Sequence, residues 1–270
     1  MLVHLVTTSQ EECDLTELTQ RLLALQLEGR IVGIMHIIND TLADVVQSDE
    51  TRILYGQDYF YETLLGLKFR ISTFSFFQPN SLAAEVLYNI VREYIQNTSG
   101  MEVFDLYSGT GTIAQLLAPV AKEVIGVELN RDAIKDAISN AKRNHIHNVT
   151  FYNEDAGKFM VEMAEKGEHA DVVIMDPPRT GSDEAFLSSV VRLAPNKVVY
   201  VSCGPETLVR DLKYLTKHGY RMKECTPFDL FPFTKHVETV CLLSKLHEAK
   251  HHVNVRLDMD EMDLTAAERR

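Results

Sequence analysis

Val103-Phe104-Asp105-Leu106-Tyr107-Ser108-Gly109-Thr110-Gly111-Thr112-Ile113-Ala114 is the stretch that decides the fold. Residues 103–107 form a short apolar run of strand length. Residues 112–118 open a helix, and two glycines stand at the junction. Glycine lets the backbone turn sharply and approach a ligand at the helix N-terminus. The alternation then repeats. Residues 124–128 read as strand and 132–144 as helix, and Val149–Asn153, Val172–Met175 and 198–202 read as further short strands between helical stretches. Strands alternating with helices on this period mean parallel βαβ units in a doubly wound, Rossmann-like α/β sheet. Ligands of such sheets gather outside the carboxyl ends of the strands.

Upstream, residues 1–75 read as a small α+β domain. Strands are expected at 2–6, 31–38 and 51–55. Asp14 is placed to cap a helix carrying Leu15, Leu18, Leu22 and Leu25 on one face, with Gly29 ending it. An aromatic-rich segment, 69–80, leads into a helix at 82–94. The expected division is 1–75, then the doubly wound domain at 76–247, then an acidic tail at 248–270, within the size that 270 residues suggest at roughly 150 per domain. Hydrophobic content of 45% and charged content of 24% exclude disorder, collagen and coiled coil. No apolar run approaches the ~18 residues of a membrane span, and no basic-then-apolar leader follows Met1. Four cysteines without a C-x-x-C pair read as reduced thiols, which points to the cytoplasm. The net charge of −12 argues by itself against a polyanionic partner. That acidity is uneven: residues 1–75 hold 5 basic and 11 acidic side chains, whereas 76–247 hold 18 and 22.

The strand ends carry the candidate chemistry. Glu128 closes the second strand of the sheet, 19 residues past Gly109, where a carboxylate can accept both hydroxyls of a ribose. Glycine turn and acid together fit NAD or S-adenosylmethionine, and a merely solvated strand-end acid is the plain alternative. Asp176-Pro177-Pro178-Arg179 is more selective. Consecutive prolines lock a turn that fixes Asp176 at the rim and presents backbone carbonyls to a planar substrate. A dehydrogenase has no need of that element, whereas methyltransferases of planar nitrogen or carbon substrates often carry an acid before two prolines there.

Cys203, in Val201-Ser202-Cys203-Gly204-Pro205, leaves the sheet at the same rim with a helix starting behind it, and a helix N-terminus favours thiolate. Cys225 and Cys241 sit among strand-like residues and read as buried packing. Glu238, in His236-Val237-Glu238-Thr239-Val240, begins an apolar strand and is a candidate base. The tail histidines His247, His251 and His252 bring no second ligand cluster, so no metal site is expected.

In order, Phe77-Gln78-Pro79-Asn80, Asp105–Gly111, Gly126-Val127-Glu128, Asp176-Pro177-Pro178-Arg179, Val201-Ser202-Cys203 and His236-Val237-Glu238-Thr239 resemble the RNA uracil-5-methyltransferase family, most closely its bacterial 23S rRNA members. The resemblance covers residues 1–247. It implies a methyltransferase that uses S-adenosyl-L-methionine, held by Gln78, Tyr107, Gly109, Gly111, Glu128, Asp155 and Asp176. It also implies a target base received at Asp176, Pro177 and Arg179, with Cys203 as nucleophile and Glu238 as general base. The implied partner is structured rRNA, with tRNA second, and a monomer is expected.

Departures are visible. Gly204 follows the nucleophile where the family often has asparagine, and Ser108 stands where it commonly has cysteine. The β-barrel that usually precedes the central domain is missing from this sequence, and only three cysteines remain for an iron–sulfur cluster that needs four. Thr265-Ala266-Ala267-Glu268 reads as a capping box two residues before the chain stops, which suggests a fragment or a reduced paralogue. Two other readings stay open: methylation of an amino nitrogen, and an RNA-binding remnant without catalysis.

Overall fold

The structure, a computed structural model, describes residues 1–10, 12–41, 49–95 and 100–246. The expected capping box at 265–268 and the three tail histidines lie outside the described residues. The chain opens with β1 (Leu2–Thr7), α1 (Thr16–Leu23), β2 (Gly33–Ile38) and β3 (Glu50–Gly56). β2 is central, parallel to β1 and antiparallel to β3, and it buries Ile34, Met35 and Ile37. Asp14 Oδ1 accepts from Thr16 N at 2.9 Å, but the helix ends at Leu23 rather than at Gly29. The reason is that α1 buries none of its residues, so no core packing extends it.

A hairpin that the sequence reading missed follows: β4 (Tyr59–Leu64) pairs with β5 (Leu67–Ser72). Leu65 and Gly66 make its two-residue turn, both at positive φ (48° and 83°), as the strand twist demands. Leucine at the first of those positions hides the usual Asn-Gly or Asp-Gly signal. Next comes α2 (Ser81–Tyr94), capped by Asn80 Oδ1 accepting from Ala83 N at 3.1 Å.

The doubly wound part runs β6 (Glu102–Leu106), α3 (Thr112–Leu117), β7 (Glu123–Glu128), α4 (Arg131–Arg143), β8 (Val149–Asn153), α5 (Ala156–Lys166), β9 (Val172–Met175), α6 (Glu184–Leu193), β10 (Lys197–Ser202), α7 (Pro205–Lys217), β11 (Tyr220–Phe228) and β12 (Glu238–Lys245). The seven strands lie in the order β11-β12-β10-β9-β6-β7-β8, all parallel except β12. Helices cover both faces. On one side Leu87, Val91, Ile113 and Leu117 pack with Leu64, Phe69 and Ile71 of the hairpin. On the other, Phe159, Phe186, Leu208 and Leu215 pack with Phe104, Val173 and Tyr200 of the sheet. The strand order reverses between β6 and β9, which is the switch point where such sheets bind ligands.

Three polar residues spaced one helical turn apart, Asp136 and Asn140 on α4 and Asn144 at its C-cap, hold the hairpin's edge. Asn140 accepts from Arg70 N at 2.6 Å and donates to Arg70 O at 3.0 Å, Asn144 accepts from Lys68 N, and buried Asp136 accepts from Ser72 N and from the Arg70 guanidinium. The unpaired strand edge is thereby satisfied as a neighbouring strand would satisfy it.

β11 was not anticipated, and it changes the reading of two cysteines. Cys225 and Cys241 are direct partners across the antiparallel β11–β12 pair, with Cα atoms 4.1 Å apart, and they are joined as a disulfide. Cys241 is buried but Cys225 is exposed, so the expectation of two separately packed, reduced thiols is corrected. Opposed positions on adjacent strands bring the two β-carbons together, a pairing invisible without the register. Neither Cys13 nor Cys203 is part of a disulfide.

Gly111 shows how tightly the first glycine turn is built. Its φ is +74°, and a β-carbon there would lie 2.6 Å from Phe151 Cζ and 3.0 Å from Ala137 Cβ. Gly111→Ala is expected to cost about 2–4 kcal/mol, from a left-handed backbone plus overpacking. Urea unfolding of the two proteins checks it, and equal midpoints would show the turn to be looser than described.

Candidate active site

The site is built by register. In the antiparallel β10–β12 pair Ser202 faces Thr239, so the next step beyond the strand puts Cys203 opposite Glu238. β12 is the strand that runs backward, and for that reason its first residue lies at the same edge as the last residues of the parallel strands. One strand further, β9 ends at Met175 and delivers Asp176 to that edge. Pro177 is buried, while Pro178 and Arg179 are exposed. Behind Cys203 the turn is fixed by Ser202 Oγ, which accepts from Gly204 N at 3.1 Å. Thr207 Oγ1, on α7, reaches Gly204 O at 3.0 Å and Arg179 O at 3.3 Å.

The electrostatics are those of a crowded acidic pocket. Glu238 is 5% exposed and its pKa is raised by burial, with Arg179 the opposing charge. Asp176 is pushed up to about 7 by burial and by Glu238. The Cys203 thiol is also raised, first by burial and then by Glu238 and Asp176, with Arg179 opposing. Desolvation and two nearby carboxylates thus oppose the thiolate that the helix N-terminus behind Cys203 favours. Alkylation of Cys203 by iodoacetamide is expected to climb with pH and reach half its maximum above the ordinary thiol pKa of 9. A midpoint well below that would mean the helix terminus wins.

The glycine-turn half lies across the switch point. Tyr107 ends the β6 run at φ +68°, a conformation costing a non-glycine residue about 1–2 kcal/mol, and its ring packs on Phe186 at 5.9 Å. Burial and the carboxylates of Asp155 and Asp183 push its hydroxyl up to about 12. Gly109, at φ +54°, opens onto space that a side chain would fill, since only Phe76 O comes within 4.0 Å of its missing β-carbon. Glu128 is locked in place: Oε2 accepts from Gly109 N at 3.0 Å and Oε1 from Asn130 N at 2.7 Å, which leaves each oxygen a second lone pair. Asp155 caps α5 through Lys158 N at 2.9 Å. Beside it an open cleft of about 440 Å³ runs between the starts of α5 and α6, lined by Glu154, Asp155, Lys158, Asp183 and Phe186.

Gln78 reaches this edge through its neighbours. Asn80 Nδ2 donates to Leu230 O at 3.1 Å, Asn130 Nδ2 reaches Phe74 O at 3.5 Å, and Phe76 O borders Gly109. Segment 74–80 thus lies across the turns after β6, β7 and β11, with Gln78 buried within it.

Two groups escaped the sequence reading. Asp105 is fully buried on β6. Its Oδ2 accepts from Ala114 N at 2.9 Å, but its Oδ1 has no partner among the described residues, and burial pushes its pKa to about 8. An acid between Phe104 and Leu106 in a strand was the available signal. Tyr88, buried on α2, feels the charges of Asp176, Asp105 and Glu238 and is raised by burial and by them. Nothing in a helical run of apolar residues distinguished it.

The residues present fit S-adenosylmethionine. An unpartnered buried carboxylate oxygen suits an ammonium, lone pairs on an anchored acid suit ribose hydroxyls, and a glycine with open space admits a close backbone approach.

A seven-stranded sheet in this order, with one reversed strand inside one edge and helices on both faces, defines the class of Rossmann-like methyltransferases. The solved S-adenosylmethionine-dependent methyltransferase of Agrobacterium tumefaciens shares the fold at 15% identity, with TM-score 0.58 over 79% of this chain and 77% of its own. More specifically, a family model described as tRNA (uracil-5-)-methyltransferase matches residues 34–246, and the chain belongs to that family.

An RNA methyltransferase of Clostridium tetani with no characterised function is 49% identical over 240 residues, which is 89% of this chain and 52% of the relative. Its counterpart in Clostridium acetobutylicum is 47% identical over 245 residues, 91% and 53%. The solved Pyrococcus abyssi tRNA (uracil-54, C5)-methyltransferase, in complex with S-adenosyl-L-homocysteine, is 32% identical, with TM-score 0.71 over 90% of this chain and 56% of its own. This chain thus spans about half the length of the curated relatives it matches.

Proposed function

We propose that this chain carries the catalytic part of an RNA methyltransferase that transfers a methyl group from S-adenosyl-L-methionine to C5 of a uridine. The observation that carries this reading is the β10–β12 register, which sets Cys203 opposite Glu238 beside Asp176, at the edge that holds the glycine turn. The cofactor supplies an electrophilic methyl group. Asp105, Tyr107, Gly109, Gly111, Glu128, Asp155, Asp176 and Gln78 are the residues proposed to hold it, and Asp176, Pro177 and Arg179 to receive the base.

Uracil C5 is a poor nucleophile, and Cys203 answers that. Its thiolate bonds to C6, and the ring's C5–C6 π electrons move towards O4 as an enolate. With the cofactor bound, C5 would take its methyl group as the methyl–sulfonium bond breaks, leaving S-adenosyl-L-homocysteine. Glu238 takes the proton from C5, the π bond re-forms, and the C6–sulfur bond breaks to return the thiolate. Burial makes Glu238 a stronger base than an exposed glutamate, which suits it to a carbon-bound proton.

Structured rRNA, most closely 23S, is the proposed substrate, with tRNA the second reading because the printed names of the family and of the P. abyssi enzyme point there. The net charge of −12 predicts that this chain grips RNA weakly and in a salt-sensitive way. A monomer in the cytoplasm, divided as 1–75, 76–247 and 248–270, belongs to the same proposal. No helix among the described residues is long and apolar enough to cross a membrane. Incubation with cofactor and with rRNA or tRNA from cells lacking the gene, followed by nucleoside mass spectrometry, tests the reading. It predicts 5-methyluridine in one of the two pools. Methyl groups on an amino nitrogen, or cofactor binding without transfer, would contradict it.

A further inference from the structure

Behind the two active-site turns stands a polar cluster that the proposed mechanism does not use. Asp211, fully buried on α7, accepts at Oδ2 from Ser182 N (2.8 Å) and from the Tyr200 hydroxyl (2.7 Å), and at Oδ1 from Arg210 Nε (2.8 Å). Arg210 Nη2 then donates to two carbonyls of the same loop, Ser182 O at 2.8 Å and Thr180 O at 3.1 Å. Gly181, between them, is at φ +71°, and a β-carbon there would lie 2.5 Å from Arg210 Nη2 and 2.9 Å from Asp211 Oδ2. The backbone has therefore come as close to this pair as it can.

The cluster joins three elements. Tyr200 lies on β10, three residues before Cys203. Asp211 and Arg210 lie on α7, the helix that begins just after Cys203. Thr180 and Ser182 belong to the loop that starts at Asp176 and carries Arg179. An ionised carboxylate is costly to bury, and it is retained only where its hydrogen bonds are met and its geometry counts. Asp211 has three donors in fixed directions, two of them on elements that deliver the proposed catalytic groups.

We propose that Asp211, with Arg210, is a positioning residue for catalysis: it clamps the loop 176–183 to the turn bearing Cys203, and so sets where Asp176 and Arg179 stand relative to the nucleophile. The inference rests on the function proposed above. It predicts a larger effect on turnover than on cofactor affinity, because Glu128 and Gly109 are held by hydrogen bonds of their own, outside the clamp. A misplacement of about 1 Å at reacting groups costs about 10²-fold in rate.

The test compares the unsubstituted chain with Asp211→Ala, Asp211→Asn and Arg210→Ala, measuring kcat, KM for S-adenosylmethionine, and amide exchange at residues 177–183. Asp211→Ala is expected to lower kcat about 10²-fold with KM for the cofactor within about twofold, and to speed exchange at Ser182. Asp211→Asn keeps an acceptor for Ser182 N and Tyr200, and should recover much of the rate. Arg210 is largely exposed, so Arg210→Ala folds even if Asp211→Ala does not, and a fall of about tenfold is expected of it.

An active parent with undiminished kcat in Arg210→Ala, or in a folded Asp211→Ala, overturns the clamp while leaving the proposed function standing. A parent that methylates no uridine overturns the function, and this inference with it. Loss of thermal stability at unchanged kcat would mark the cluster as structural only, and would also overturn it.

Discussion

Cys203→Ala is expected to bring methyl transfer to RNA down to background while S-adenosylmethionine still binds with its parental affinity. The thiol is half-buried at the rim and close enough to feel the charges of Glu238, Asp176 and Arg179. None of the residues proposed to hold the cofactor depends on it: Glu128 is fixed by Gly109 and Asn130, and Asp105 by Ala114. Removing one sulfur atom at this edge leaves C5 of uracil unactivated, and nothing else described there can add to C6. Transfer of labelled methyl to RNA, set beside cofactor binding by calorimetry, separates the two effects. Transfer at the parental rate would remove covalent catalysis from the account.

Glu238→Gln should produce the opposite signature, a stalled covalent complex. The substitution keeps shape and hydrogen-bonding reach but leaves no group to take the C5 proton, so methylated uridine stays joined to Cys203. Loss of a general base typically costs 10²–10⁴-fold in rate, and a fall in that range is expected here, with RNA-linked protein accumulating on a denaturing gel.

The pH dependence has a definite sign. Burial raises Glu238 above the ordinary carboxylate range, so its basic form, and with it the rate, is lost as pH falls through that raised value. Two limbs are expected on the acid side, one from Glu238 above about pH 4.5, the usual glutamate value, and one from the Cys203 thiol above its ordinary value, and only the lower should vanish in Glu238→Gln. A lower limb unchanged by the substitution would assign it to Asp176 instead.

The parallel part of the sheet was legible because period, length and punctuation agreed there. Val172–Met175 is fully apolar between helical stretches, and its observed bounds are the expected ones. The edge at which the strands end was legible for the same reason, since fold topology alone says where ligands of such a sheet collect.

What escaped lay in long-range pairing. The hairpin β4–β5 turns on Leu65 and Gly66, and its edge is satisfied by side chains of α4 some seventy residues away, from Asn140 to Arg70. Neither fact has a local signature. The partnership of Cys225 with Cys241 needed the β11–β12 register, and β11 is too exposed to show an apolar run. The Cys203 thiol was read from its helix alone, and the buried carboxylates that oppose its thiolate come from two other strands. Motif order suggested Glu238 as the partner of Cys203, and the reversed direction of β12 supplies the geometric reason.

The most direct test of covalent catalysis at Cys203 is the mass of the protein after incubation with S-adenosylmethionine and RNA carrying 5-fluorouridine. Fluorine at C5 cannot leave as a proton does, so the reaction must stop with the sulfur still bonded to C6. The account predicts a one-to-one protein–RNA adduct that requires the cofactor and maps to the peptide containing Cys203. A chain that methylates ordinary uridine yet forms no such adduct, or forms it at another residue, would contradict it.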